Sequence, residues 1–478
     1  MSVINTNVAS LIAQNGLANS QAQLNTSLQR LSTGLRINSG ADDPAGLIAS
    51  QSLQSEISGL TQAINNSSQA TNVISTADAA LSEVESLLQN ISGLTVESAN
   101  SGALSSTEIQ ANQLQVDSAV QSITRIASTS SFAGLHLLDG SLDYVTSGVH
   151  TSAISALNIS QANLGTSTSI PVNVNVISSA KLADLQFAAS SISKSTTLSI
   201  GGATGTQTLS FVSGTTASAI AFAVNNISDS TGVTAKLINA STPTSGINFT
   251  STGYGSAAFV SIEAQTGTFN TTNLAGAAES RATGADAVAT INGALTVGTG
   301  QNLQLNTSTL DLNMTLSNSF GIGQTSFAIT GGGALFQLGS NVSSQEQVSI
   351  GIGSVAAANL GNNAVGFLNQ VVTGGDASLV GGKSEQADQI ISEAISQVAV
   401  LRGRLGAFEA NTLQTNSDSL QVALQNVTSS FSDITDANFA SETSNLTRAQ
   451  ILVQAGTSVL ATANQIPQTV LTLLTGHT

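Results

Sequence analysis

Apolar residues at both ends of the chain recur at helical intervals. Near the C-terminus Leu446, Ala449, Val453, Gly456, Leu460, Ala463, Pro467, Val470 and Leu474 step by three and four. A second row, Leu452, Val459, Ile466 and Leu473, repeats every seven. At the other end Ile4, Val8 and Leu11 open one stripe, and Leu17, Leu24, Leu28, Leu31 and Leu35 form another, shifted by one. Such rows predict amphipathic helices with coiled-coil character. Ordering so long a backbone costs more than one apolar row returns, so each end is expected to be unfolded alone and to fold on meeting a partner. Residues 1–29 and 449–478 contain no Asp, Glu, Lys or Arg. Two readings fit these uncharged ends. They either complete the core of a monomeric bundle or assemble with other copies, and a charge-free polar face favours assembly.

Just inside the ends the helical spacing continues. Leu53, Ile57, Leu60, Ile64, Thr71, Ile74, Leu81, Leu88 and Ile91 keep heptad intervals, and Ile109, Val116, Val120, Ile123 and Ala127 begin a shorter helix. Ile391, Ala394, Val398, Leu401, Leu405 and Phe408 form a stripe that Leu420, Leu424, Val427, Phe431 and Ile434 extend. Ser384 stands where an N-cap is expected, with Glu385 and Asp388 in the first turn. Between about residues 140 and 380 the period changes to two: Val172, Val174 and Val176 alternate, as do Leu310, Leu312, Met314 and Leu316. These predict strands with one buried face. A strand–helix–strand unit is predicted from Thr208–Val212, Ala219–Ile227 and Val233–Leu237. The fold class is therefore α+β: long terminal helices forming a discontinuous coiled-coil and helical bundle, with β-rich outer domains inserted in the middle. The expected divisions are 1–40 with 440–478, 41–145 with 384–439, 146–280, and 281–383.

Composition narrows the chemistry. Only 8% of the 478 residues are charged, against roughly 25% in an ordinary soluble domain, and the net charge is −16 with a mean hydropathy of +0.21. Eleven Lys and Arg cannot build the basic stripe that phosphates require, so no nucleic-acid partner is expected. Zero Cys excludes disulfides, thiolate metal sites and thiol nucleophiles, and only His136, His150 and His477 are present. No apolar run reaches membrane-spanning length, and the uncharged first 29 residues lack a basic secretory n-region.

The ends resemble those of bacterial flagellins. The resemblance lies in Ile4–Asn7, in Leu28-Gln29-Arg30-Leu31-Ser32-Thr33-Gly34-Leu35-Arg36-Ile37-Asn38-Ser39 and in Gly40-Ala41-Asp42-Asp43-Pro44-Ala45-Gly46. It continues in Gln454–Leu460 and Ala463-Asn464-Gln465, while Thr475–Thr478 runs past the usual stop. Phe211–Thr216 through Gly232-Val233 is similar to an outer-domain repeat of hook-associated proteins, and Gly284–Ala287 through Gly293 is weakly similar to such modules.

The resemblance implies a structural subunit that self-assembles helically into the extracellular flagellar filament for swimming. It implies export, unfolded and uncleaved, through the flagellar type III system, with an export chaperone on the C-terminal helix and filament cap and hook-junction proteins as further partners. Polymerisation would run through Leu24, Leu28, Leu31, Leu35, Leu452, Val459, Leu460, Ile466 and Leu473. Residues 40–46 would link the terminal-helix domain to the next. An innate-receptor patch would fall on Gln89, Asn90, Gly93 and Leu94, where Asn90 replaces the family's Arg and Gly93 its Glu. Loss of a multi-donor guanidinium implies weak receptor stimulation. A hook–filament junction or cap-like accessory protein is the alternative, and the ending Gln454–Gln465 argues against it. A secreted β-rich adhesin would need a signal peptide and no heptads.

No enzyme is expected, nor any catalytic, metal or cofactor residue. Gly381-Gly382-Lys383-Ser384 lacks the phosphate-loop spacing, because Ala377 stands where its first Gly belongs. Asp42 and Asp43 beside Pro44 read as a turn, not a carboxylate pair. No HExxH motif supports the zinc peptidase carried by certain flagellins. Arg30, Arg36, Arg402 and Arg404 either pair within the chain or pair with acids of neighbouring copies.

Overall fold

The structure is a computed structural model that describes residues 6–164, 167–239, 241–242, 245–307 and 309–476, the side chains of 467, 468 and 470–475 excepted. It comprises two compact units.

The first unit contains residues 1–68, 338–341 and 414–478. Helix α1 (Val8–Thr33) is capped by Asn7, whose side chain accepts from the Ser10 N–H, and it ends on Gly34 at φ +74°. A tight turn follows, in which the Asp42 carboxylate accepts from the backbone N–H groups of Asn38 and Ser39 and from the Ser39 hydroxyl. Those bonds, the Ser39 hydroxyl's above all, hold the Asp42 carboxyl below its usual range. Pro44 opens the next helix, α2 (Pro44–Ala99), at the position where its missing N–H costs nothing. The Asp43 side chain accepts from the Gly46 N–H at 2.9 Å. Both aspartates thus build the predicted turn.

The second unit contains residues 69–337 and 342–413. Here α2 buries Val73, Ile74, Ala77, Leu81, Val84, Leu88 and Ile91. Helix α3 (Ser106–Thr129) buries Val116, Val120, Ile123 and Ala127, as its spacing predicts. It opens with a reciprocal capping box between Ser105 and Glu108.

The middle is β-rich. After the hairpin β1 (Ser131–Phe132) and β2 (Leu135–His136) come β3 (Tyr144–Ser147), β4 (Ile154–Ala162) and β5 (Ile170–Ser178). Next are β6 (Leu182–Phe187), β7 (Thr196–Gly202) and β8 (Gly205–Phe211), then α4 (Ala217–Asn225) and the short α5 (Ser228–Thr231). β9 (Val233–Leu237), β10 (Ile247–Tyr254), β11 (Phe259–Thr266) and β12 (Arg281–Thr283) complete that stretch. β13 (Val288–Ile291), β14 (Ala294–Val297), β15 (Asn302–Asn306), β16 (Leu310–Leu316) and β17 (Gly323–Gly332) follow, then β18 (Ala334–Gln337) and β19 (Gln347–Ile350). The predicted strand–helix–strand unit is present as β8, α4 and β9, with Ile220 and Val224 buried.

The sheets do not divide the middle at residue 280. β5 pairs with β13 and β17, and β4 pairs with β16, so residues on either side of that border share one core. A second core is built from Ala183 to Ala282, inserted between β5 and β13. The expected blocks 146–280 and 281–383 follow the chain, whereas the hydrogen-bonded pairing encloses one subdomain within another. Alternation along Val172, Val174 and Val176 shows which face is buried, not which distant strand lies beside it.

Helix α6 (Ser384–Phe408) begins one residue before its expected start. Ser384 is its first helical residue rather than its cap. Lys383 takes the cap position without a side-chain bond, because the chain enters through Gly382 at φ +70°. A π-helical turn, Glu409–Gln414, leads from α6 to α7 (Thr415–Thr435), and α8 (Phe439–Thr475) closes the chain.

Candidate assembly surface

In the first unit each end finds a partner in the other: α1 packs along α8. Asn7 Nδ2 donates to the Ala463 carbonyl at 2.8 Å, and the Ser10 hydroxyl to Asn464 Oδ1 at 2.8 Å. At Gly456 the helices approach so closely that a Cβ there would stand 3.3 Å from Leu17 Cδ1. Beyond the helices, a bridge joins Leu35 to Asp436, and the Arg36 N–H donates to the Thr435 carbonyl at 2.7 Å.

The two rows of α8 behave differently. Ala449 and Ala463 are buried, and Leu446, Val453, Gly456 and Leu460 are half-buried along the side that faces α1. The heptad row stays open: Leu452, Val459 and Ile466 are 43%, 57% and 55% exposed, joined by exposed Ile451. On α1, Val8, Leu11, Ile12 and Leu28 are exposed, while Leu17, Leu24 and Leu31, and Leu35 just beyond the helix, are half-buried. Small residues, Ser10 and Ser27, occupy the buried positions of α1. The proposed polymerisation residues therefore split. Leu24, Leu31, Leu35 and Leu460 pack in part within the chain, and Leu28, Leu452, Val459 and Ile466 face solvent. Ile4 and the side chain of Leu473 lie outside the described residues.

Arg30, Arg36, Arg402 and Arg404 find contacts inside the chain. Arg30 lies 3.9 Å from buried Glu442. Arg36 donates to the Ile434 carbonyl and lies 3.7 Å from Asp43. Arg402 on α6 bonds both Asp78 at 2.9 Å and Glu85 at 2.5 Å on α2, and those bonds raise its pKa. Arg404 donates to Asn158 Oδ1 at 3.1 Å and to the Gly351 carbonyl at 2.8 Å, and its burial lowers its pKa. Local sequence carries no sign of the Arg404 environment, since these neighbours lie 246 and 53 positions away along the chain.

Gln89, Asn90 and Gly93 stand on the exposed side of α2, opposite Leu88 and Ile91, with Leu94 half-buried. Gln89 donates to Glu85 Oε1 at 3.4 Å, and nothing lies within 4 Å of a Cβ placed on Gly93.

Three families match segments of the chain: the bacterial flagellin N-terminal helical region at residues 4–143, the bacterial flagellin C-terminal helical region at 389–474, and the flagellin hook IN motif at 197–253. A flagellin of Salmonella rubislaw is 33% identical over 99% of this chain and 99% of its own. The B-type flagellin of Pseudomonas aeruginosa is 30% identical over 98% and 99%. Polar flagellin F of Vibrio parahaemolyticus is 44% identical over 29% of this chain and 36% of its own. The chain belongs to the bacterial flagellins. It is a structural, non-enzymatic subunit of the extracellular flagellar filament, which self-assembles from copies of the flagellin and serves motility. The accessory-protein alternative is not favoured. No described helix of this flagellin is long and apolar enough to cross a membrane.

Proposed function

We propose that this flagellin polymerises through the open apolar row of α8 together with the exposed positions of α1. The observation that carries the proposal is the contrast on one helix between a row seated on α1 and a row, Leu452, Val459 and Ile466, that stays exposed. An uncovered aliphatic row of this kind gains free energy by leaving water against another copy. One patch meeting a different patch on the next copy propagates an open helix when the rotation between copies does not close.

In this reading residues 1–40 with 440–478 form the filament core and 41–145 with 384–439 its wall. The β-rich segments within 146–383 lie outside. Before assembly, the same open row calls for masking, which an export chaperone on the C-terminal helix provides during passage through the flagellar type III system. Cap and hook-junction proteins complete the set of partners. On the wall, Asn90 and Gly93 in place of Arg and Glu leave a receptor surface without its charged anchors, and reporter cells should respond weakly to this flagellin.

Polymerisation of the full chain and of a form ending at Arg448, each seeded and imaged, tests the reading. Filaments from the full chain alone support it. Filaments from both overturn it.

A further inference from the structure

A second site lies within the other unit. Between α6 and the sheet formed by β15, β16 and β4 is a cleft of about 560 Å³, within the size range of small-molecule sites. Asn158, Asn302 and Asn313 line its floor. Asn158 on β4 stands opposite Asn313 on β16, which stands opposite Gln304 on β15, so the three side chains share the open face of the sheet. Asn302 lies two residues from Gln304 on that same face. From above, α6 contributes Glu393, Gln397 and Arg404.

Several of these groups are already aimed. Gln397 is fixed by bonds with the Gly361 backbone at both ends of its amide and with Glu393 Oε1. Arg404 is held by two neutral acceptors, Asn158 Oδ1 and the Gly351 carbonyl, while its Nε is sealed from solvent without an acceptor. Each terminal nitrogen therefore keeps a further N–H beyond its bond to the protein. Among the described residues, no protein group bonds the side-chain amides of Asn302 or Asn313. The cleft thus sets the unbonded amides of Asn302 and Asn313 and the remaining N–H groups of Arg404 around one space, with Gln397 and Asn158 already bonded to the protein.

The charges decide the class of ligand. An anion attracted by Arg404 would meet Asp143 and Glu393 in the same cleft and Asp311 beside it. A metal ion attracted by those carboxylates would meet the guanidinium. A neutral molecule that both donates and accepts satisfies all of them, and vicinal hydroxyls match the two-point geometry of amides and carboxylates. We propose that this cleft binds a neutral saccharide, with Asn302, Asn313 and Arg404 as its principal hydrogen-bonding groups. Among the described residues no aromatic ring lines it, so binding rests on hydrogen bonds and is weak, with a dissociation constant on the order of 1 mM.

The test titrates the soluble full-length chain with glucose, galactose and N-acetylglucosamine, with cellobiose, lactose and chitobiose, and with glucuronate as the anionic control. Binding is read by saturation-transfer NMR and calorimetry. At least one neutral sugar should saturate. The Asn313→Leu variant, altered at an exposed position, should bind it about ten-fold more weakly with unchanged melting and unchanged filament formation. Tighter binding of the disaccharides assigns the site to a polysaccharide chain, and equal binding assigns it to free sugar. Absence of saturation by every neutral sugar overturns the proposal. So does preference for glucuronate, or a folded Asn313→Leu chain that binds as the native one does. Filament formation, measured separately, keeps a failure here distinct from a failure of the assembly reading.

Discussion

The terminal pair α1 and α8 and the α2 segment of the second unit are built from the same aliphatic vocabulary at the same heptad intervals, yet they end in opposite states. Along α2 every large apolar residue from Ile74 to Ile91 on the inner face is sealed, with Ile74, Leu81, Val84, Leu88 and Ile91 fully buried. Along α1 and α8 the sealed positions go to Ser10, Ser27, Glu442, Ala449 and Ala463, while Val8, Leu11, Ile12, Ile451, Val459 and Ile466 face water. Two helices can cover only one stripe of each other. The α2 segment shares its unit with α3 and α6, so its row is closed within one chain. The ends pack along each other and leave a second row exposed, the row proposed to meet another copy. A heptad pattern therefore reports that a helix wants company, not whether its own chain supplies it.

The largest test of that comparison sets matched truncations in the two regions side by side. Leu81→Ala should cost about 2–5 kcal/mol of unfolding free energy, because a fully buried leucine leaves a cavity. Leu452→Ala, at an exposed position, should change monomer stability by less than about 0.5 kcal/mol and instead slow filament growth. Denaturant melts of both variants check the first half, and light scattering of seeded assembly the second. Comparable losses of stability would erase the distinction.

A smaller effect belongs to the helix start at Ser105. Removing the hydroxyl that accepts from the Glu108 N–H should cost about 1 kcal/mol in the Ser105→Ala variant, confined to the second unit. The same variant should leave filament formation intact, as measured by imaging and thermal melts.

The smallest concerns pH. Burial raises the Asp143 carboxyl pKa, while the Tyr144 N–H and Arg404 oppose the rise. Below the ordinary carboxylate pKa both folded and unfolded chains hold the proton, and the group contributes no pH dependence. As pH rises the unfolded chain loses the proton first, so stability falls until the folded group also ionises. The Asp143→Asn variant, which cannot titrate, should therefore gain on the native chain as pH is raised from about 3 to 7. Paired melts across that range check the sign.

Much of this architecture is legible in the amino-acid sequence, because local period sets local form. The stripes of α1, α2, α3, α6 and α8 and the alternation of Val172–Val176 and Leu310–Leu316 each become the element they predict. Helix caps depend on one residue's dihedral angles, which is why Lys383, entered through Gly382, takes the cap position expected for Ser384. Sheet partners depend on chain segments far apart, so the pairing of β5 with β13 and β17 across an inserted subdomain has no local sign. The same holds for Arg404, an ordinary-looking arginine on an amphipathic helix until β4 and the Gly351 loop close around it. Among the assembly residues, the sequence shows two rows on α8 but not which one α1 would occupy. Gly456, where the backbones approach, decides that.

The absence of cysteine from the chain permits the most direct measurement. A thiol introduced by Val459→Cys, with Phe222→Cys as an exposed control in the second unit, can be labelled with a maleimide in soluble chains and in filaments. The account predicts that the thiol at 459 reacts readily in the monomer and is protected in the filament, while the one at 222 reacts in both. Equal reactivity at 459 in monomer and filament would contradict the claim that the open row of α8 is the surface that assembly buries.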